Sequence, residues 1–269
     1  MRQMTVTCTL LLLAITTGLA RAEHDGKLQI LLLGDSTTEE SVPRRHNPAG
    51  PHFEDVIRLL LAAEKDLPPT NVINQGLSGE YIHGLLAARY DKDVPQLPGL
   101  DYVFIRYGLN DRGRREDFAQ NFPRDLHELI ARLRRDHPQA TIIPMTVIPY
   151  LSPEASAEVN DLIKQVTTEE KLTLFDIYPR YAAELTHGPN MLNYRRFPLD
   201  KIPEKDRQWV QPFIHAGTVE VMDNTLDAHF RDLPGWFGDR HPNSAGYHVI
   251  ADETAKFLAK QIRERVKKS

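Results

Sequence analysis

The sequence predicts an α/β domain in three layers, a central parallel sheet covered by helices on both faces. Two observations carry that prediction. Short apolar, β-branched-rich runs recur along the chain, and amphipathic stretches of helical period separate them. Strands that alternate with helices must run parallel through crossovers, and the helices then cover the sheet on both sides. Residues 28–33 read as the first strand and 53–64, with apolar residues three and four apart, as a helix. A strand over 71–73, a helix over 81–88 and a strand over 102–107 follow. Residues 126–133 sit within a longer amphipathic stretch, and 141–148 form the fourth strand. A helix over 155–168 and a fifth strand over 172–177 come next. A terminal helix over 245–266 closes the chain, with lysine and arginine in its last turns, where a helix end favours cations.

One segment breaks the alternation. Residues 179–235 are rich in proline, aromatic and charged residues and show no clean period. The segment reads as an irregular insertion, a lid or a substrate-binding excursion, because structureless loops of that length are uncommon unless functional. Residues 41–51 form a shorter insertion of similar character. No linker divides the chain, so 23–269 reads as a single domain.

Residues 1–22 read as a secretory signal peptide. Arg2 gives a positive start, four consecutive leucines lie in the apolar run, and Ala20-Arg21-Ala22 has the small-x-small form of a cleavage site. The expected location is secreted or periplasmic. The apolar run is shorter than the roughly 20 residues that span a bilayer, so no membrane span is expected after cleavage. Beyond residue 22 the chain has 31 basic and 37 acidic residues, a formal charge of −6, which argues against nucleic-acid binding. Its one cysteine, Cys8, lies in the signal, so a cleaved chain has neither a disulfide nor a thiol nucleophile.

Four short motifs carry chemistry. Ser36 follows the first strand through Gly34 and Asp35, on a strand-to-helix turn that exposes its hydroxyl and suits acyl transfer. The same Ser36-Thr37-Thr38-Glu39 is also a capping box, in which the serine only caps a helix. Gly76 ends the second strand in Asn74-Gln75-Gly76, and Gly79 lies close by; a glycine at either place often only makes a turn. Asn110 follows the third strand in Gly108-Leu109-Asn110-Asp111, where asparagine is also a common turn residue. His241 opens His241-Pro242-Asn243 just before the last helix.

In that order the motifs resemble the blocks of the SGNH hydrolases, also called the GDSL family, over roughly residues 27 to 266. The resemblance implies a flavodoxin-like α/β/α fold and a serine esterase that needs no metal or organic cofactor. It casts Ser36 as nucleophile, His241 as its base, and the Ser36 N–H, Gly76 N–H and Asn110 amide as oxyanion donors. Asp35 and Asp111 then serve as supports that hold the local loops by hydrogen bonding. The implied substrate is a small-molecule or polysaccharide ester, with acetyl esters on carbohydrate in view. The last block departs from the family's Asp-x-x-His, because Gly238 stands three before His241 and Asp239 two before. Either Asp239 orients the imidazole from a shifted turn, or the site is a Ser–His dyad with a backbone carbonyl in that role.

Two other classes compete. Asp227-Ala228-His229 and Asp239-Arg240-His241 each place Asp and His two apart, as a metal-dependent phosphoesterase could use them. A non-catalytic carbohydrate-binding protein could carry the same fold, since fold does not fix function.

Overall fold

The computed structural model describes residues 26–188 and 190–268; the signal peptide expected over 1–22 lies outside them. Strand β1 (Leu28–Gly34) leads through two short helices, α1 (Ser36–Glu39) and α2 (Ser41–His46), to α3 (Phe53–Ala63). Then come β2 (Thr70–Gly76), α4 (Ile82–Ala88), α5 (Tyr90–Asp93) and β3 (Tyr102–Arg106). The chain continues with α6 (Leu109–Arg114), α7 (Phe118–Asp136), β4 (Thr141–Pro144), α8 (Pro153–Glu169) and α9 (Tyr178–Leu185). These strands form a parallel four-stranded sheet in the order β2-β1-β3-β4.

Alternation along β1 builds both faces. Ile30 and Leu32 pack with Phe53, Ile57 and Leu61 of α3 and with Ile250 and Leu258 near the C-terminus. Leu31 and Leu33 pack with Leu85 of α4, Leu129 of α7 and Val159 of α8 on the other face. A residue step of one along a strand turns the side chain to the opposite face, so an unbroken apolar run is what a doubly covered strand requires.

The fifth predicted strand, 172–177, reduces to one parallel bridge between Met145 and Phe175. The Leu172 N–H closes the end of α8 on Thr167 O at 2.9 Å, and α9 begins at Tyr178, so little extended chain remains to pair. The fourth strand stops at Pro144 rather than at 148. The buried Val147 N–H goes instead to the Asn160 side chain at 2.8 Å, which ties the strand's exit to α8.

The segment 179–235 is not irregular. After α9 it folds into an antiparallel three-stranded sheet in the order β5-β7-β6, from β5 (Arg195–Pro198), β6 (Ile214–His215) and β7 (Thr218–Val221). Short helices α10 (Arg207–Val210) and α11 (Asp227–Phe230) pack on it, and the last helix, α12 (Ser244–Lys268), follows. Phe197, Val219, Phe230 and Trp236 make a core separate from those of the parallel sheet. Its centre includes charge: buried Arg195 makes a bidentate pair with Asp227, which also accepts the Trp236 indole N–H at 2.9 Å. No helix among the described residues is long and apolar enough to cross a membrane.

Candidate active site

In a doubly wound sheet the loops leaving β1 and β3 diverge, because the strand order reverses between them. A crevice opens there at the strands' carboxyl ends. Ser36 follows β1 and Asn110 follows β3, so the chain's topology places both at that crevice.

Asp35, not Ser36, caps α1. Its carboxylate accepts the Thr37 N–H at 2.9 Å and the Thr37 hydroxyl at 2.8 Å. Burial pushes the Asp35 carboxyl up, against those two hydrogen bonds. Glu39, the other half of the supposed capping box, instead accepts the Ser78 N–H at 2.6 Å. The Ser36 hydroxyl is thereby left for His241, whose Nε2 lies 2.9 Å from Oγ.

His241 is held from several directions. Its Nδ1 lies 2.6 Å from Asp239 Oδ1, and the same oxygen accepts the His241 backbone N–H at 3.0 Å. The short Asp-x-His turn thus reaches the imidazole. Tyr150 meets the ring edge-on with its hydroxyl 3.2 Å from Nδ1, and Tyr194 stacks on it at 5.7 Å between centroids. Burial, with the Asp239 charge behind it, pushes the Tyr150 phenol up to about 12. Pro242 bridges to Asn193, and the Asn243 side chain donates to Met191 O at 2.9 Å, so the inserted segment pins this turn.

The Asp239 side chain is only 8% exposed. Burial works to raise its carboxyl, but the hydrogen bonds and charge of His241 and the Arg196 guanidinium outweigh it and leave the group below the usual carboxylate range. Arg196 Nε lies 2.8 Å from Asp239 Oδ2.

The expected oxyanion donor Gly76 requires a correction. Its N–H is already given to Asn74 Oδ1 at 2.9 Å, and Gly76 does not line the crevice. Gly76 pairs with Gly34 across β1 and β2, and a side-chain carbon there would overlap the Glu39 backbone nitrogen. Glycine at 76 therefore lets α1 settle on the strand ends. Gly79 lines the crevice instead, at φ +78°, and its N–H has no hydrogen-bond partner among the described residues. Asn110 gives one amide hydrogen to Glu80 O at 3.0 Å and keeps the second for the crevice. Glu80 is itself fixed, its carboxylate taking Arg89 Nη2 at 2.6 Å and the Tyr107 hydroxyl at 2.5 Å. One residue thereby braces both Gly79, its neighbour in the chain, and Asn110. Asp111 accepts the N–H groups of Gly108 and Ile82 at 2.9 and 2.8 Å, joining the β3 exit to α4. Burial lifts its carboxyl to about 7 against those two bonds.

These groups surround a cavity of about 250 Å³ lined by Ser36, Gly79, Asn110, Tyr150, Tyr194, Arg196 and His241, with Ser41 to Pro43 of α2 on one side. Asp227 and His229 do not join it: Asp227 is committed to Arg195 and Trp236, and His229 stacks on Trp209 at 4.9 Å.

A serine hydroxyl within 2.9 Å of an imidazole and amide hydrogens around one cavity fit ester chemistry, and the family model for the GDSL-like Lipase/Acylhydrolase family matches residues 32–249. The chain belongs to this family. As a GDSL-like acylhydrolase it is a carboxylic ester hydrolase. Solved structures share the fold. An α/β hydrolase, LAE5, from the metagenome of Lake Arreo, Spain, is 22% identical with TM-score 0.57, covering 87% of this chain and 94% of its own. Axe2, an acetylxylan esterase from Geobacillus stearothermophilus, is 18% identical with TM-score 0.55, covering 88% and 95%. A putative GDSL-like lipase from Parabacteroides merdae is 16% identical with TM-score 0.55, covering 88% and 99%. No curated protein matches the chain.

The motifs locate Ser36, Asn110, Asp239 and His241 in this GDSL-like acylhydrolase. They miss Tyr150, Tyr194 and Arg196, which belong to no motif. Gly79 is within reach of the sequence, since a strand running to Gly76 spends its N–H groups on local pairing and leaves the next turn free to face the crevice.

Proposed function

We propose that this protein is an exported esterase that removes small acyl groups, acetyl foremost, from carbohydrate or other polar alcohols. The observation that carries the mechanism is the chain Ser36 Oγ–His241 Nε2–Asp239, at 2.9 and 2.6 Å, opening on a cavity that Gly79 and Asn110 line.

The Ser36 hydroxyl attacks the ester carbonyl while His241 Nε2 takes its proton. Asp239 holds the Nδ1 hydrogen, which fixes the tautomer that leaves Nε2 free to accept, and balances the imidazolium that forms. The Ser36 and Gly79 N–H groups and the Asn110 amide receive the oxyanion. Donors fixed before charge develops contribute about 3–4 kcal/mol each. His241 returns the proton to the leaving alcohol, then deprotonates the water that releases the acid.

The substrate class rests on size and polarity. A cavity of about 250 Å³ is below the common range for drug-sized ligands, and tyrosine, serine and arginine make up much of its wall. The likeness to a structure described as an acetylxylan esterase points the same way. Export rests on the signal-like residues 1–22. A p-nitrophenyl ester series from acetate to palmitate tests the reading. Activity should peak at acetate or propionate and fall at least about tenfold by octanoate. A maximum at palmitate would overturn the small-acyl assignment.

A further inference from the structure

We propose that Arg196, carried by the inserted sheet, is a positioning residue that makes the shifted Asp239 an effective partner for His241. The inference rests on the Ser36–His241–Asp239 reading and goes beyond it by giving the insertion a part in the reaction.

The short spacing between Asp239 and His241 creates a specific problem. One carboxylate oxygen, Oδ1, must accept both the backbone N–H and the Nδ1 hydrogen of His241. That leaves Oδ2 of a largely buried carboxylate to be satisfied from elsewhere, since a buried charge is tolerated only when paired and hydrogen-bonded. Arg196 supplies the opposite charge, its Nε forming an ion pair with Oδ2 at 2.8 Å. It can do so because of strand alternation. Arg195 and Phe197 of β5 turn into the core of the inserted sheet, and Arg196 between them turns out towards the His241 turn.

A competitor sits beside this pair. The Tyr150 hydroxyl lies 3.2 Å from the same Nδ1. With Arg196 holding Oδ2, Asp239 stays ionised and aimed, and the imidazole hydrogen goes to the carboxylate. Without it, Asp239 can rotate and the hydrogen can pass to the phenol, which cannot balance an imidazolium. The groups facing the pair are Tyr150 after β4, Tyr194 before β5, Arg196 on β5, Arg240 in the turn, and Ser36 with buried Asp35 after β1. Among the described residues, Arg196 is the arginine that pairs with the Asp239 carboxylate.

The test follows p-nitrophenyl acetate hydrolysis between pH 5 and 9 for the wild type, Arg196→Gln, Arg196→Lys, Asp239→Asn and the double variant Arg196→Gln/Asp239→Asn, with Ser36→Ala alongside. Arg196→Gln should lower kcat about tenfold or more with KM little changed, and Arg196→Lys should fall between it and wild type. The acid limb of kcat/KM should move to higher pH in Arg196→Gln, because the Arg196 charge helps hold the Asp239 carboxyl below the usual carboxylate range and its loss lets that carboxyl protonate at higher pH. The double variant should be no worse than Asp239→Asn, since Arg196 acts through that carboxylate. An unchanged kcat and pH profile, a loss confined to KM, or additive losses in the double variant would each overturn the proposal. An active Ser36→Ala would instead overturn the hydrolase site itself.

Discussion

The parallel sheet and the inserted antiparallel sheet divide the candidate site between them in different ways. The parallel sheet supplies Ser36, Gly79 and Asn110 from turns that leave β1, β2 and β3, each braced by short local bonds such as Asp35 to Thr37 and Asp111 to Gly108. The insertion holds His241, the proposed base, in place from outside, through Tyr194 on the ring, Asn193 against Pro242 and Arg196 on Asp239. It also grips α2 beside the cavity, where Glu220 of β7 takes both Arg45 and His46. Sites of the first kind are written in local sequence, and sites of the second kind in tertiary contacts.

The largest effects should come where the two regions meet. Ser36→Ala and His241→Ala should each lower kcat by several orders of magnitude, and the double variant should be little worse than either, because the pair acts as one unit. Additive losses would mean that the two regions contribute separate functions. Within the parallel sheet alone, Asn110→Ala should cost about 10²–10³ in kcat with a smaller change in KM. A pure KM effect would make Asn110 a substrate contact only.

The insertion has its own core, so Trp236→Ala should remove about 3–5 kcal/mol there. Hydrogen exchange should show residues 195–236 losing protection while β1 to β4 keep theirs, as separate cooperative units do. Equal loss across both sheets would deny the insertion its independence. The smallest effect lies far from the site, where His127 of α7 sits between Glu170, just past the end of α8, and Glu169 in its last turn, at 2.5 and 2.9 Å. Burial works against the ring's charge, but the two carboxylates outweigh it and hold the proton above the ordinary histidine range. A raised folded-state value stabilises fully below about pH 6.5 and fades as pH rises through it. The stability gap between wild type and His127→Gln should therefore shrink from pH 6 to pH 8. A gap that widens would reverse the sign.

What the sequence discloses follows the same division. An apolar run such as Ile30-Leu31-Leu32-Leu33 in β1 is read directly, because a strand buried on both faces needs it, and Ser36 and Asn110 follow such strands at once. The inserted strands are two to four residues long, and β5 reads Arg195-Arg196-Phe197-Pro198 with an arginine turned inward. No period survives at that length, and an inward arginine inverts the usual pattern. Gly76 misleads for a related reason. A glycine at a strand end carries the same letter whether its N–H faces a substrate or its missing side chain admits a helix. The sequence leaves Asp239 open between two roles, and only the path of the turn shows that its carboxylate reaches Nδ1.

The most direct test of the central claim is covalent capture of the nucleophile. A p-nitrophenyl alkylphosphonate, an analogue of the tetrahedral intermediate, should add once per chain. Peptide mass spectrometry should place it on Ser36, with no adduct in Ser36→Ala and far slower labelling in His241→Ala. Labelling at another residue, or an unlabelled protein that still hydrolyses p-nitrophenyl acetate, would contradict it.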